Sequence, residues 1–148
     1  MPIPPSRSLD INHGGKDLNQ LIRKERSYNI AQLNDYITQN VLLLNDDQCN
    51  IYESVMHAVT CADGCFFIDG PGGTGKTFLY NVLLLTVRSS GDIAVAVASS
   101  GIAALLMMGG RTAHSRFKIP LKLNESSTCN ISQNSKEACL IIMSKLFI

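Results

Sequence analysis

Ile30, Leu33 and Ile37 recur at helical spacing, so residues 28 to 39 are predicted to form an amphipathic helix. Before them, KDLNQLIRKER (16 to 26) is dense in charge and reads as a short solvated helix. Ile51, Val55 and Val59 mark one apolar face of a further helix that runs to about Thr60. Asn45 stands where that helix begins, with Gln48 three residues on, the spacing of a capping box. The pattern then shortens. CFFID (65 to 69) is brief, apolar and aromatic, and reads as a buried strand after the turn Ala62-Asp63-Gly64. A helix is predicted from about Lys76 to Arg88, followed by the break SSGD (89 to 92). IAVAVA (93 to 98) is a continuous run of small apolar residues, as in a strand covered on both faces. A helix from about Ile102 to Met108, a loop over 109 to 135 and a third buried strand at ACLII (138 to 142) complete the series. Strand, helix, strand, helix, strand predicts an α/β fold with a parallel sheet.

The chain's 148 residues suit one such domain, placed at 41–148. Residues 1 to 15, with three prolines and the pair Gly14-Gly15, are expected to be a flexible lead-in. Residues 1–40 are thus lead-in plus amphipathic helix. A net charge of +1 gives no global pull toward nucleic acid or membrane, so any such contact needs a local patch. The first residues, MPIPPSRSLD, lack the apolar core of a signal peptide, and no apolar run approaches the roughly 18 residues of a spanning helix. Cys49, Cys61, Cys65, Cys129 and Cys139 are odd in number and form no paired framework. We therefore expect free thiols, a reducing compartment and no membrane partner. His57, Cys61 and Cys65 recur every four residues, but no CxxC pair or fourth ligand accompanies them, so no metal site is expected there. The two cysteines are expected to pack as small apolar groups at a helix end and a strand start.

Chemistry enters between the first predicted strand and its helix. Gly70-Pro71-Gly72-Gly73-Thr74-Gly75-Lys76-Thr77 matches GxxxxGK[ST] at every fixed position. Glycines let successive backbone N–H groups turn toward phosphate oxygens, and the following helix aims its N-terminus at the same anion. Lys76 supplies a point charge to the β- and γ-phosphates, and the Thr77 hydroxyl is a ligand for the bridging Mg²⁺. ATP and Mg²⁺ are the cofactors this motif suggests. Further along, Arg111, Arg116, Lys118 and Lys122 lie in a stretch without acidic residues, with His114 and Phe117 among them. Cations that track phosphates and a ring that stacks on a base suit sequence-tolerant binding, and a solvated basic loop would have the same charge pattern.

FFIDGPGGTGKTFLYN, AVAVASSGIAALLMMGGRTAHSRFKIPLKL and ESSTCNI together resemble the petite-integration-frequency family of ATP-dependent DNA helicases, in particular the helicase segment of Helitron transposons. The likeness spans about residues 42 to 142 and is strong from 64 to 131. It implies a P-loop NTPase (RecA-like) parallel sheet with flanking helices, the first motor domain of a superfamily 1 helicase moving 5′ to 3′ on single-stranded DNA. Roles in recombination, repair and telomere maintenance come with the family, as does a nuclear or mitochondrial setting. It nominates Gln48 as the reader of adenine, compatible with capping. It nominates Ser99, Ser100, Gly101, Arg111, His114, Arg116, Phe117 and Lys118 as a DNA-facing set. Partners would be single-stranded DNA and a full-length helicase or transposon proteins. The family's third strand ends in a DE pair, whose place falls on Ser144 and Lys145 when the run ACLIIMSKLFI is aligned. The motor domain is on this reading incomplete, and the rival expectation is a non-catalytic remnant that binds nucleotide or DNA. A small phosphate-loop kinase or GTPase would require an acceptor lid, which nothing here resembles.

Overall fold

A computed structural model describes residues 17–148. The expected lead-in over 1 to 15 lies outside the described residues. The elements are α1 (Asp17–Arg26), α2 (Ile30–Val41), α3 (Asp46–Cys61), α4 (Lys76–Ser89), β1 (Ile93–Val95), β2 (Val97–Ala98), α5 (Gly101–Leu105), β3 (Arg111–Thr112), α6 (Ala113–Phe117), α7 (Lys136–Met143) and β4 (Ser144–Phe147). The fold is α/β, with two small two-stranded parallel sheets among the described residues.

α4 is the hub. Its sequence, KTFLYNVLLLTVRS, is apolar nearly all round, the pattern of a helix covered on every side. Leu79, Val82, Leu83, Leu84, Leu85 and Val87 are all buried, and each contributes about 1.5–3 kcal/mol by leaving water. Leu79, Val82 and Leu83 pack with Leu44 and Val55, whose segment includes α3. α2 also lies against α4, with Leu33 as its buried residue. On the other side α4 meets the strands. Successive strand side chains point to opposite faces. Ala94 and Ala96 pack with Leu84 and Val87 of α4, while Ile93 and Val95 pack with Leu140 of α7 and Leu21 and Ile22 of α1. The small apolar run 93 to 98 is thus a strand sandwiched between two helical layers.

That strand is continuous in direction but divided in its pairing. β1 pairs parallel with β4, in the register Ile93↔Ser144, Ala94↔Leu146 and Val95↔Phe147. Ser144 and Leu146 are two apart where Ile93 and Ala94 are adjacent, so Lys145 is the extra residue of a bulge. β2 pairs parallel with β3, Val97↔Arg111 and Ala98↔Thr112. Val95 O and Val97 N–H bond to Ile148 while Ala96 O accepts from Arg111 N–H at 3.1 Å, so the two partners flank opposite edges.

Two predicted strands are corrected. ACLII (138 to 142) is helical, within α7. Ser135 caps it, its hydroxyl accepting from Ala138 N–H at 3.1 Å, and Ala138, Cys139 and Leu140 carry no β-branch to oppose a helix. The third strand comes after it, as SKLF. CFFID (65 to 69) forms no ladder and is largely exposed, Phe67 at 92%. β4 gives its pairing edge to β1, and among the described residues no strand lies hydrogen-bonded to 65 to 69. Two smaller differences follow from local contacts. The helix expected to Met108 ends at Leu105, where Asn81 captures the next turn. The loop expected over 109 to 135 contains β3 and α6, because β2 offers Arg111 and Thr112 a pairing edge.

Candidate functional site

The segment Gly70–Gly75 leads into α4 and turns back on itself. Gly73 and Gly75 have φ of 83° and 80°, in the left-handed region that glycine adopts without penalty. Thr74 Oγ1 donates to Pro71 O at 2.9 Å and closes the turn. Gly70 N–H is taken by its neighbour's carboxylate, Asp69 Oδ1, at 2.8 Å. From Gly72 to Thr77, no backbone N–H has a protein acceptor among the described residues. These amides surround the first turn of α4, whose dipole adds positive potential at the same point. Lys76 Nζ sits across the mouth of the loop, bonded to Gly70 O and, at 2.8 Å, to Pro71 O. Free amides, an ammonium and a helix N-terminus in one turn make an anion cradle. A phosphate group is the kind of anion such a cradle can take. Thr77 begins α4 beside Lys76 and presents a hydroxyl, one ligand for a cation whose other ligands would be phosphate oxygens and water.

Gln48 reaches this loop from α3. Its Oε1 accepts from Asn45 N–H at 3.1 Å while Asn45 Oδ1 accepts from Gln48 N–H at 2.9 Å, completing the capping box. Its Nε2 donates to Thr74 O at 3.2 Å. One side chain therefore caps α3 and braces the phosphate loop. A Cβ on Gly75 would lie 2.7 Å from that Nε2, so the Gln48 amide would have to swing aside, while the φ of 80° is what favours glycine at residue 75.

The segments nominated to face DNA are brought together by the short β2–β3 pairing, which sets Ser99 and Ala113 just beyond neighbouring strand ends. Ser99, Ser100, Gly101, Arg111, His114 and Lys118 are exposed. Ser100 Oγ accepts from Ala103 N–H at 3.2 Å and caps α5, which leaves its own O–H free to donate. Lys118 lies 3.6 Å from Glu137 and stays half exposed. Arg116 departs from this set. Its side chain is buried and bonds Glu25 of α1 at 2.8 Å. A buried ion is costly unless paired, so Glu25 holds Arg116 inward, away from any DNA-facing role. Phe117 is half buried, its ring tilted against that of Phe147 with centroids 6.4 Å apart, so it already has a partner ring within the protein.

The family model for PIF1-like helicase matches residues 43–148, which include the phosphate loop and both exposed segments. The chain belongs to the PIF1-like helicase family. No match was found among curated proteins. At the level of the family, membership implies DNA-helicase and ATPase chemistry with ATP, Mg²⁺ and DNA. Among the described residues no helix is long and apolar enough to cross a membrane.

In this helicase-family chain the residues aligned with the DE pair need correction. Ser144 and Lys145 open β4 instead of following a strand, because the preceding apolar run is α7. Ser144 Oγ donates to Leu140 O at 2.6 Å, and the bulged Lys145 pairs with Asp92 at 2.9 Å. Both serve the junction of α7, β4 and β1. The thiols are also differently placed. Cys61 and Cys65, expected to pack inside, are exposed, and the five cysteines are free.

Two tethering residues beside the site escaped the sequence reading, both on α4. Asn81 Nδ2 donates to Leu106 O at 3.0 Å, and Asn81 Oδ1 accepts from Met108 N–H at 2.8 Å. Arg88 is buried at 3% exposure and donates to Ala94 O at 2.9 Å and to Met108 O at 2.6 Å. Its guanidinium lies 4.8 Å from the centroid of the Tyr28 ring. Burial lowers its pKa from the ordinary arginine value, Tyr28 and Glu25 pull it back up, and Arg116 lowers it. A partial signal was available: Asn81 interrupts the run from Phe78 to Leu85, and Arg88 is a charged residue next to Val87 in a helix whose neighbours are buried.

Proposed function

We propose that the chain binds the triphosphate of ATP between Gly70 and Thr77 and single-stranded DNA along Ser99–Gly101, Arg111, His114 and Lys118. In this reading it acts as part of the first motor domain of a helicase that moves 5′ to 3′. The observation that carries it is the run of unpaired amides from Gly72 to Thr77 around the Lys76 ammonium at the start of α4. Lys76 offsets charge on the β- and γ-phosphates, Thr77 ligates Mg²⁺, and Gln48 stands at the loop's flank, where adenine recognition is assigned to it. Calorimetric titration with ATP and Mg²⁺ tests this. Wild type should give a saturable heat that Lys76→Ala abolishes; flat traces from both folded proteins would refute nucleotide binding.

A rival reading is nucleotide and DNA binding without turnover. DNA-stimulated phosphate release above a Lys76→Ala control would exclude it.

A further inference from the structure

The turn Leu106–Gly110 is tied to α4 at two points, and α4 begins in the phosphate loop. Asn81 grips the turn with both ends of its amide, at Leu106 O and Met108 N–H. Two helical turns on, Arg88 reaches Met108 O and Ala94 O, so it joins the same turn to β1. The space around the turn is full. At Gly109, φ is 69°, and a Cβ there would meet Tyr28 Oη at 2.7 Å and Arg88 Nη2 at 3.3 Å. A Cβ on Gly110 would sit 2.2 Å from Ala104 O. The chain leaves this turn directly into Arg111 and Thr112 of β3, which pair with β2 and so set the position of Ser99 to Gly101. A helix is stiff along its axis, and its first residues bind phosphate while its middle and end grip the turn.

Resting on the reading above, we propose that Asn81 and Arg88 are positioning residues that link nucleotide occupancy to the DNA-facing segment. Neither touches phosphate or DNA. Each holds the backbone of residues 106 to 109 in register with α4, so a shift of the helix's first turn on phosphate binding moves Arg111 and His114 with it. Such a link is reciprocal: whatever nucleotide does to DNA affinity, DNA does to nucleotide affinity.

The experiment uses the full chain and fluorescence anisotropy of a dye-labelled oligothymidylate, with and without a non-hydrolysable ATP analogue and Mg²⁺. Wild type should show a nucleotide-dependent change in DNA affinity of about 5-fold or more. Asn81→Leu removes both amide bonds at similar volume. It should bind each ligand alone as wild type does, while the change shrinks toward unity. Asn81→Asp keeps the acceptor for Met108 N–H, loses the donor to Leu106 O, and should fall between the two. Should Asn81→Leu not fold, an unaltered shift in Asn81→Asp would still overturn the proposal. A full shift in a folded Asn81→Leu, or no shift in a wild type that binds both ligands, overturns the link and leaves the functional reading standing. A wild type that binds neither ligand overturns both.

Discussion

Gly75 carries two constraints at once. Its φ of 80° lies where an L side chain costs about 1–2 kcal/mol, and a Cβ there would press on the Gln48 amide at 2.7 Å. Gly75→Ala should therefore lower unfolding free energy by about 1–2 kcal/mol in a denaturant titration, the lost loop bond adding to the backbone strain. Adding Gln48→Ala should recover the clash but not the strain, so the two changes should not be additive. A Gly75→Ala protein as stable as wild type would mean the loop does not have this shape. The phosphate loop was legible residue by residue because its chemistry is local: the ammonium, hydroxyl and amides lie within eight consecutive positions. The set nominated to face DNA is brought to one exposed surface only in part. Nothing near Arg116 in the chain marks it as buried, since its partner Glu25 lies 91 residues away. The contact of Phe117 is likewise distant in the chain, its partner ring being Phe147.

At the scale of elements, the test case is α7. The apolar run of six, Ala138–Met143, bounded by polar residues, has no internal signal that separates a buried helix from a buried strand. What decides here is Ser135, whose hydroxyl satisfies Ala138 N–H, and the acidic Glu137 in the first turn, favourable at the positive end of the helix. Ser135→Ala should cost about 0.5–2 kcal/mol, read from chemical denaturation, and Ser135→Asp should cost close to nothing because a carboxylate caps equally well. Equal stability of all three proteins would point to an uncapped segment. α4 and the strand at 93 to 98 were readable because their burial is two-sided and their apolar pattern unbroken. CFFID carries the same composition as a buried strand and is exposed. Composition reports what a segment can pair with, and the pairing itself depends on which edge β4 presents.

For the whole molecule, the consequence is an unfilled groove. Segment 64 to 68 and β4 face each other across an apolar cavity of about 920 Å³, also lined by Val59, Leu83, Met107 and Ile142. Phe66, Phe67, Ile142, Met143 and Phe147 are exposed along it. β4 is paired with β1 on one edge, and among the described residues no strand pairs with its other edge or with residues 64 to 68. Contiguous apolar surface beside unpaired extended backbone promotes association between chains, and charged residues at such edges oppose it. The wild-type chain should therefore self-associate as concentration rises past about 10 μM, visible as a growing weight-average sedimentation coefficient. Phe67, at 92% exposure, contributes little to the folded interior, so Phe67→Lys should place a charge at the edge without lowering the melting temperature. That variant should stay monomeric over the same range. A wild type that sediments as a monomer throughout, or a Phe67→Lys protein that associates equally well, would locate the molecule's sticky surface elsewhere, with the exposed Leu105 and Ile102 of α5 the next pair to test.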